Sequence, residues 1–151
     1  MKIIKSFSKI ISNWKHFRRF LFYLFVDAFL LVFSVIFSFL LRFDWTIPSQ
    51  YIGEFRVILP VFLLVKIGVL YIHGLYHISW TYLSVKELSD VFRAISISSL
   101  VLGALLFFLR FQPFFKGFPR SILLIDFLLS LVSIGGFRAA KRVYLHFFQN
   151  I

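Results

Sequence analysis

Three ionisable residues stand inside long apolar runs of this chain: Asp27, Lys66 and Asp126. On insertion scales an ionised side chain at the middle of a bilayer costs at least about 2.5–3.5 kcal/mol, so each needs a partner or a wetted path. Two chemistries fit such residues. A carboxylate in a span can carry a proton for coupled transport. A carboxylate set against an ammonium can instead lock helices together. Asp27 and Lys66 each lie about seven residues from the same end of their runs, which puts both roughly 10 Å deep if the runs are neighbouring antiparallel helices. The expectation is a buried Asp27–Lys66 ion pair that specifies packing. Its net stabilisation is small, because desolvation offsets much of the attraction.

Small polar residues accompany these charges at helical spacing. Asp126 is followed by Ser130 and Ser133, Asp27 by Ser34 and Ser38, and a third run carries Ser96, Ser99 and Gly103. Small residues allow close helix approach, and hydroxyls bond across helices. The stripes are therefore read as inward faces of one bundle. Asp27, Lys66, Asp126, Ser34, Ser38, Ser99, Ser130 and Ser133 are the candidate packing residues. Polar glue is preferred over a proton path, since a serine-lined bundle needs no transported substrate.

No catalytic, cofactor or metal site is expected in the chain. There is no glycine-rich dinucleotide fingerprint; Gly135-Gly136 sits at the end of an apolar run rather than after a soluble strand. There is no Walker loop and no His-Glu-x-x-His. His16, His73, His77 and His146 are scattered. His73 and His77, four apart, are read as interfacial residues rather than metal ligands. With no cysteine, thiolate zinc sites, disulfides and cysteine nucleophiles are excluded.

The elements that hold these residues follow from composition. Of 151 residues, 60% are hydrophobic and 15% charged, and the mean hydropathy is +0.91. A soluble domain is about half apolar and about a quarter charged, so this chain has too little polar surface to cover a globule in water. The apolar residues fall into four continuous runs, at about 20–41, 56–73, 94–110 and 120–137, each about the length that crosses a hydrocarbon core as a helix. Continuous runs rather than alternation favour helices over barrel strands. Pro60 is expected in the first turn of the second span, and Pro119 just before the fourth. The predicted class is all-α: a polytopic membrane protein with a four-helix domain over residues 20–137. A basic amphipathic segment over 1–19 precedes it and a basic tail over 138–151 follows.

The formal charge of +11 is read as helix ends facing the cytoplasm and anionic headgroups, not as nucleic-acid binding. Lys2, Lys5, Lys9, Lys15, Arg18 and Arg19 precede the first run; Arg138, Lys141 and Arg142 follow the last. Both termini are therefore expected in the cytoplasm. Arg42 and Arg56 in the first loop and Arg110, Lys116 and Arg120 in the third fall on the outer side, and the third loop runs most against this bias. Ile3, Ile4, Phe7, Ile10, Ile11 and Trp14 recur near helical spacing among lysines, which suits a helix lying on an anionic leaflet or a solvated topological leader. The stretch from His73 to Asp90, with Tyr76, Trp80 and Tyr82, is expected at the headgroup level.

Three local patterns resemble the N-terminal membrane region of the CapD-like family, the membrane-bound nucleoside-diphosphate-sugar 4,6-dehydratases and epimerases of bacterial polysaccharide biosynthesis. They are Asp27 with the exit Leu41-Arg42-Phe43-Asp44 and Pro48; Gly74-Leu75-Tyr76 with Trp80-Thr81-Tyr82-Leu83-Ser84 and Glu87-Leu88; and Pro119-Arg120-Ser121 with Leu124-Ile125-Asp126, Arg138 and Arg142. Trp80-Thr81-Tyr82 departs from the family's usual Trp-Arg-Tyr. The resemblance implies four helices that anchor a cytoplasmic NAD-dependent domain acting on UDP-N-acetylglucosamine-like substrates. That domain would begin near Ile151, so this chain reads as truncated before it, and no catalytic residue carries over. NAD is implied for that domain only. Other glycan-assembly membrane proteins are implied as partners, and a homo-oligomer is compatible. The readings left open are a small four-helix transporter or flippase-like accessory protein, the membrane region of an initiating undecaprenyl-phosphate sugar-phosphate transferase, and an interaction subunit of a larger complex.

Overall fold

A computed structural model describes residues 2–76, 85–115 and 117–149, with side chains from residue 13 onward except Phe114 and Gln149. It is all-helical over the described residues. The elements are α1 (Lys2–Arg42), α2 (Ile52–Ile72), α3 (Val85–Leu109) and α4 (Ser121–Gln149), with single 3-10 turns at Ser49–Tyr51 and Pro113–Phe115. Each helix contains a stretch long and apolar enough to cross a membrane, within Asn13–Arg42, Ser49–Ile72, Val85–Leu109 and Ser121–Phe148.

The helices are antiparallel to their neighbours in sequence, and α4 closes the ring onto α1. Register shows this directly. Phe20 meets Tyr71 and Phe39 meets Phe55 across α1 and α2. Asp27 meets Arg138 while Ser34, one turn and more along α1, meets Ser130 and Asp126 further back along α4.

Every fourth residue faces the bundle axis, as the helical repeat requires. In α2 the buried row is Glu54, Ile58, Phe62, Lys66 and Leu70. In α4 it is Ile122, Asp126, Ser130, Ile134 and Arg138. The outside is apolar: Phe25 is 75% exposed, Leu100 73% and Val132 70%. Large hydrophobic side chains bare on all four helices suit hydrocarbon and not water.

The helices run beyond the four apolar runs. α1 is continuous from Lys2, with no break near residue 19. Pro60 lies well inside α2, since the helix starts at Ile52; it is exposed, and its missing N–H withdraws one bond on the outer face only. α3 begins at Val85, nine residues before the apolar run, and its first turn carries Glu87 on the inward face. α4 likewise runs on to Gln149, through the stretch expected to be a tail. Trp80 and Tyr82 lie outside the described residues. Tyr76 is buried rather than placed at an exposed interface.

α2 ends on Gly74, whose φ of +71° is a left-handed conformation that glycine adopts without a Cβ clash. The Leu75 N–H then bonds back to the Leu70 carbonyl at 3.3 Å, the C-terminal closure typical of such a glycine. This turn folds Leu75 and Tyr76 under the end of the bundle.

Candidate functional site

The bundle interior is layered. An apolar cluster around Leu31, Leu70, Ile95 and Ile134 and a second around Phe39, Phe62, Leu102 and Ile122 are separated by polar side chains from three helices. Further polar residues sit beyond the first cluster.

The middle layer is built on α4. The Lys66 ammonium from α2 bonds to Asp126 Oδ2 and donates to Ser130 Oγ at 2.5 Å. Ser34 from α1 donates to Asp126 Oδ1 at 2.8 Å and lies 2.9 Å from Ser130 Oγ. One ammonium faces one carboxylate, with hydroxyls on the remaining lone pairs. That arrangement is the condition under which a buried pair repays its desolvation. Lys66 also sits 5.9 Å from the Phe62 ring centre.

The second layer centres on Arg138 of α4, which is 2% exposed. Its Nη2 donates to Asp27 Oδ2 of α1 at 2.9 Å and its Nη1 to Glu87 Oε1 of α3 at 2.7 Å. Nη1 also lies 3.4 Å from the Leu75 carbonyl. One planar fork thus joins α1, α3, α4 and the turn after α2, a geometry that only a guanidinium offers. The Tyr23 ring covers it, with Arg138 Cζ at 5.5 Å and Lys141 Nζ at 4.3 Å. Tyr76 closes the layer. Burial, and then the neighbouring Asp27 carboxylate, push its phenol well above the usual range, so it stays protonated.

The expected Asp27–Lys66 pair does not form. The two residues are close in level, but their side chains leave the helices in opposite directions. A helical Cα–Cβ bond tilts toward the helix N-terminus. Asp27 therefore leans toward the end that holds the termini, where Arg138 waits. Lys66, on an antiparallel helix, leans the other way, toward Asp126.

The remaining candidates divide. Ser34 and Ser130 belong to the Lys66 cluster. Ser38 is buried, and its hydroxyl is spent on the Val35 carbonyl within α1 at 2.7 Å. Ser133 is half-buried beside the α4 row. Ser99 is also half-buried, along the α3–α4 seam; the inward serine of α3 is Ser98, bonded to the Ile95 carbonyl at 2.8 Å. Of the histidines, His73 bonds Val69 O at 2.9 Å and His77 lies outside the described residues.

Arg138, Glu87 and Glu54 were missed as interior residues. Arg138 looks like a tail charge and Glu87 like a headgroup residue, because both stand outside the apolar runs. The signal that finds them is the four-residue row continued past the greasy stretch: Ile122 to Arg138 in α4, Glu87 to Val91 in α3. Glu54 is buried in the first turn of α2, where a helix N-terminus favours an acid.

Asp27 and Asp126 have no exposed surface; a hollow of ≈ 690 Å³ reaches the second layer at Tyr23 and Tyr76. Lys66 pairs with Asp126, and Arg138 with Asp27 and Glu87, each across two helices. The arrangement ties the four helices to one another in a fixed register.

No family model matches the chain, and no solved structure matches it. Among curated proteins it is similar to the capsular polysaccharide biosynthesis protein CapD of Staphylococcus aureus, with 33% identity over 133 residues. The match covers 86% of this chain and 21% of that protein, so the chain spans about a fifth of the relative's length. This four-helix chain is thus distantly similar to one part of a protein of polysaccharide biosynthesis.

Proposed function

We propose that this chain is the membrane-anchoring region of a polysaccharide-biosynthesis protein. It sits in the bacterial cytoplasmic membrane with both termini in the cytoplasm, and it performs no reaction itself. The observation that carries this reading is the similarity to CapD over most of the chain, together with four helices whose interior is spent on one another. Residues that carry the sequence resemblance are also the ones that converge in the bundle. Asp27, Leu75, Tyr76, Glu87 and Arg138 meet in one layer and Asp126 anchors the other.

An anchor has a physical use here. Sugar nucleotides are soluble, whereas the lipid carrier of glycan assembly stays in the membrane. Holding a catalytic domain at the leaflet raises its effective concentration near the next enzyme. In this reading NAD and the sugar nucleotide belong to that domain and not to the helices.

The test is an exchange in the Staphylococcus aureus relative, with capsule output measured at native expression. Deleting the matched segment should lower output; replacing it with this chain should restore most of it. Unchanged output after deletion would sink the proposal.

A further inference from the structure

Two of the basic residues that run against the charge bias, Arg110 and Arg120, border two adjoining hollows. A hollow of ≈ 330 Å³ between the end of α3 and the start of α4 is lined by both arginines. A second, of ≈ 290 Å³, continues down the α3–α4 seam past Ser96 and Ser99. The two share Arg120 and Leu123. The hollow along the seam exists because the residues of α3 that face it are small. Gly103 lets α4 approach so closely that a Cβ there would lie 3.2 Å from Leu123 Cδ2, and the serines beyond it leave the trough.

We propose that this seam binds a phosphate-bearing lipid, with the phosphate held by Arg110 and Arg120 and one hydrocarbon chain lying along the trough toward Phe127. Charge complementarity decides the occupant. The mouth carries two exposed guanidiniums, and guanidinium forks match phosphate oxygens. Below the mouth the lining is apolar apart from two serines. Arg110 is already poised, its guanidinium stacked 4.5 Å from Phe107 and 4.9 Å from Phe111, so little ordering remains for binding. The site also gives a reason for cations at the end of the bundle opposite the termini, where charge bias disfavours them. The inference does not depend on what the chain anchors.

The full chain, purified in mild detergent, is titrated with dioleoyl phosphatidic acid and separately with dioleoyl phosphatidylcholine, and bound lipid is counted by native mass spectrometry. Phosphatidic acid should be retained at least several-fold better. Arg110→Gln/Arg120→Gln should lower its affinity roughly tenfold or more, the scale of charge-assisted bonds lost from a phosphate. Ser99→Leu, which fills the trough, should also weaken it. Arg42→Gln/Arg56→Gln, two exposed arginines at the same end, should leave it unchanged. Equal retention of both lipids overturns the proposal, as does equal loss in the control pair, which marks general headgroup attraction. Competition by inorganic phosphate at lipid-like concentration would mean a soluble anion site instead. A dimer that covers the seam and dissociates in Ser99→Leu would assign the trough to a second copy. Helical content by circular dichroism confirms that each variant is folded, and the comparison of the two lipids needs no variant.

Discussion

At the scale of residues, the bundle interior is decided by who neutralises whom. Asp126 is the sole carboxylate bonded to Lys66 among the described residues. Asp126→Asn leaves a fully buried ammonium facing an amide. Removing one partner of a buried pair costs about 3–5 kcal/mol, and unfolding titrated with denaturing detergent in micelles should show a loss of that order. The double variant Lys66→Met/Asp126→Leu removes both charges and keeps the volume, so it should recover most of the loss. Its coupling energy, read from the full cycle, separates the pair from its surroundings. A double variant as unstable as Asp126→Asn would mean that the pair is not the origin of the effect. Residue chemistry also explains the alternative pairing: both Asp27 and Lys66 were visible as intramembrane charges, but the lean of each side chain selects a different partner on α4.

At the scale of elements, Arg138 is the fastener. Its two nitrogens bond carboxylates on α1 and α3, while the Gly74 turn presents the Leu75 carbonyl from the end of α2. Arg138→Lys keeps the charge and loses the fork. One ammonium on a shorter stem cannot span both carboxylates, so one of two charge-assisted bonds is lost, a cost of about 1.5–3 kcal/mol. Hydrogen exchange should then rise most in the first turns of α3 and the last turns of α4, since these ends depend on the fork. Uniform exchange across all four helices would contradict this local role. The same element view shows what the polar ends of α3 and α4 contribute: beyond their apolar stretches they bring Glu87 and Arg138 into contact.

At the scale of the whole molecule, an up-down bundle of four spans puts both ends on one side of the membrane. The chain has no cysteine, so single-cysteine variants report topology without background. Gln50→Cys and Gln112→Cys, both in exposed connections, should react with a membrane-impermeant maleimide added to intact cells. Gln149→Cys should react only after the cells are opened. The reverse pattern would invert the orientation, and labelling of all three from one side would break the four-span reading. The exposed aromatic and aliphatic belt has a further consequence: the purified chain should remain monodisperse only in detergent or lipid.

Much of this was legible in the sequence. Length, hydropathy and the continuity of the apolar runs determined four helices, because a backbone in hydrocarbon must satisfy its own hydrogen bonds and a helix does so within one segment. The same runs flagged Asp27, Lys66 and Asp126, because charge in lipid is costly wherever it stands. The helix ends were less legible: hydropathy stops at Arg93 and Phe137, whereas α3 begins at Val85 and α4 runs on to Gln149. The pairing was decided only by tertiary structure. Which carboxylate meets which cation depends on the direction each side chain leaves its helix and on the register of antiparallel neighbours, and neither quantity is a property of one segment.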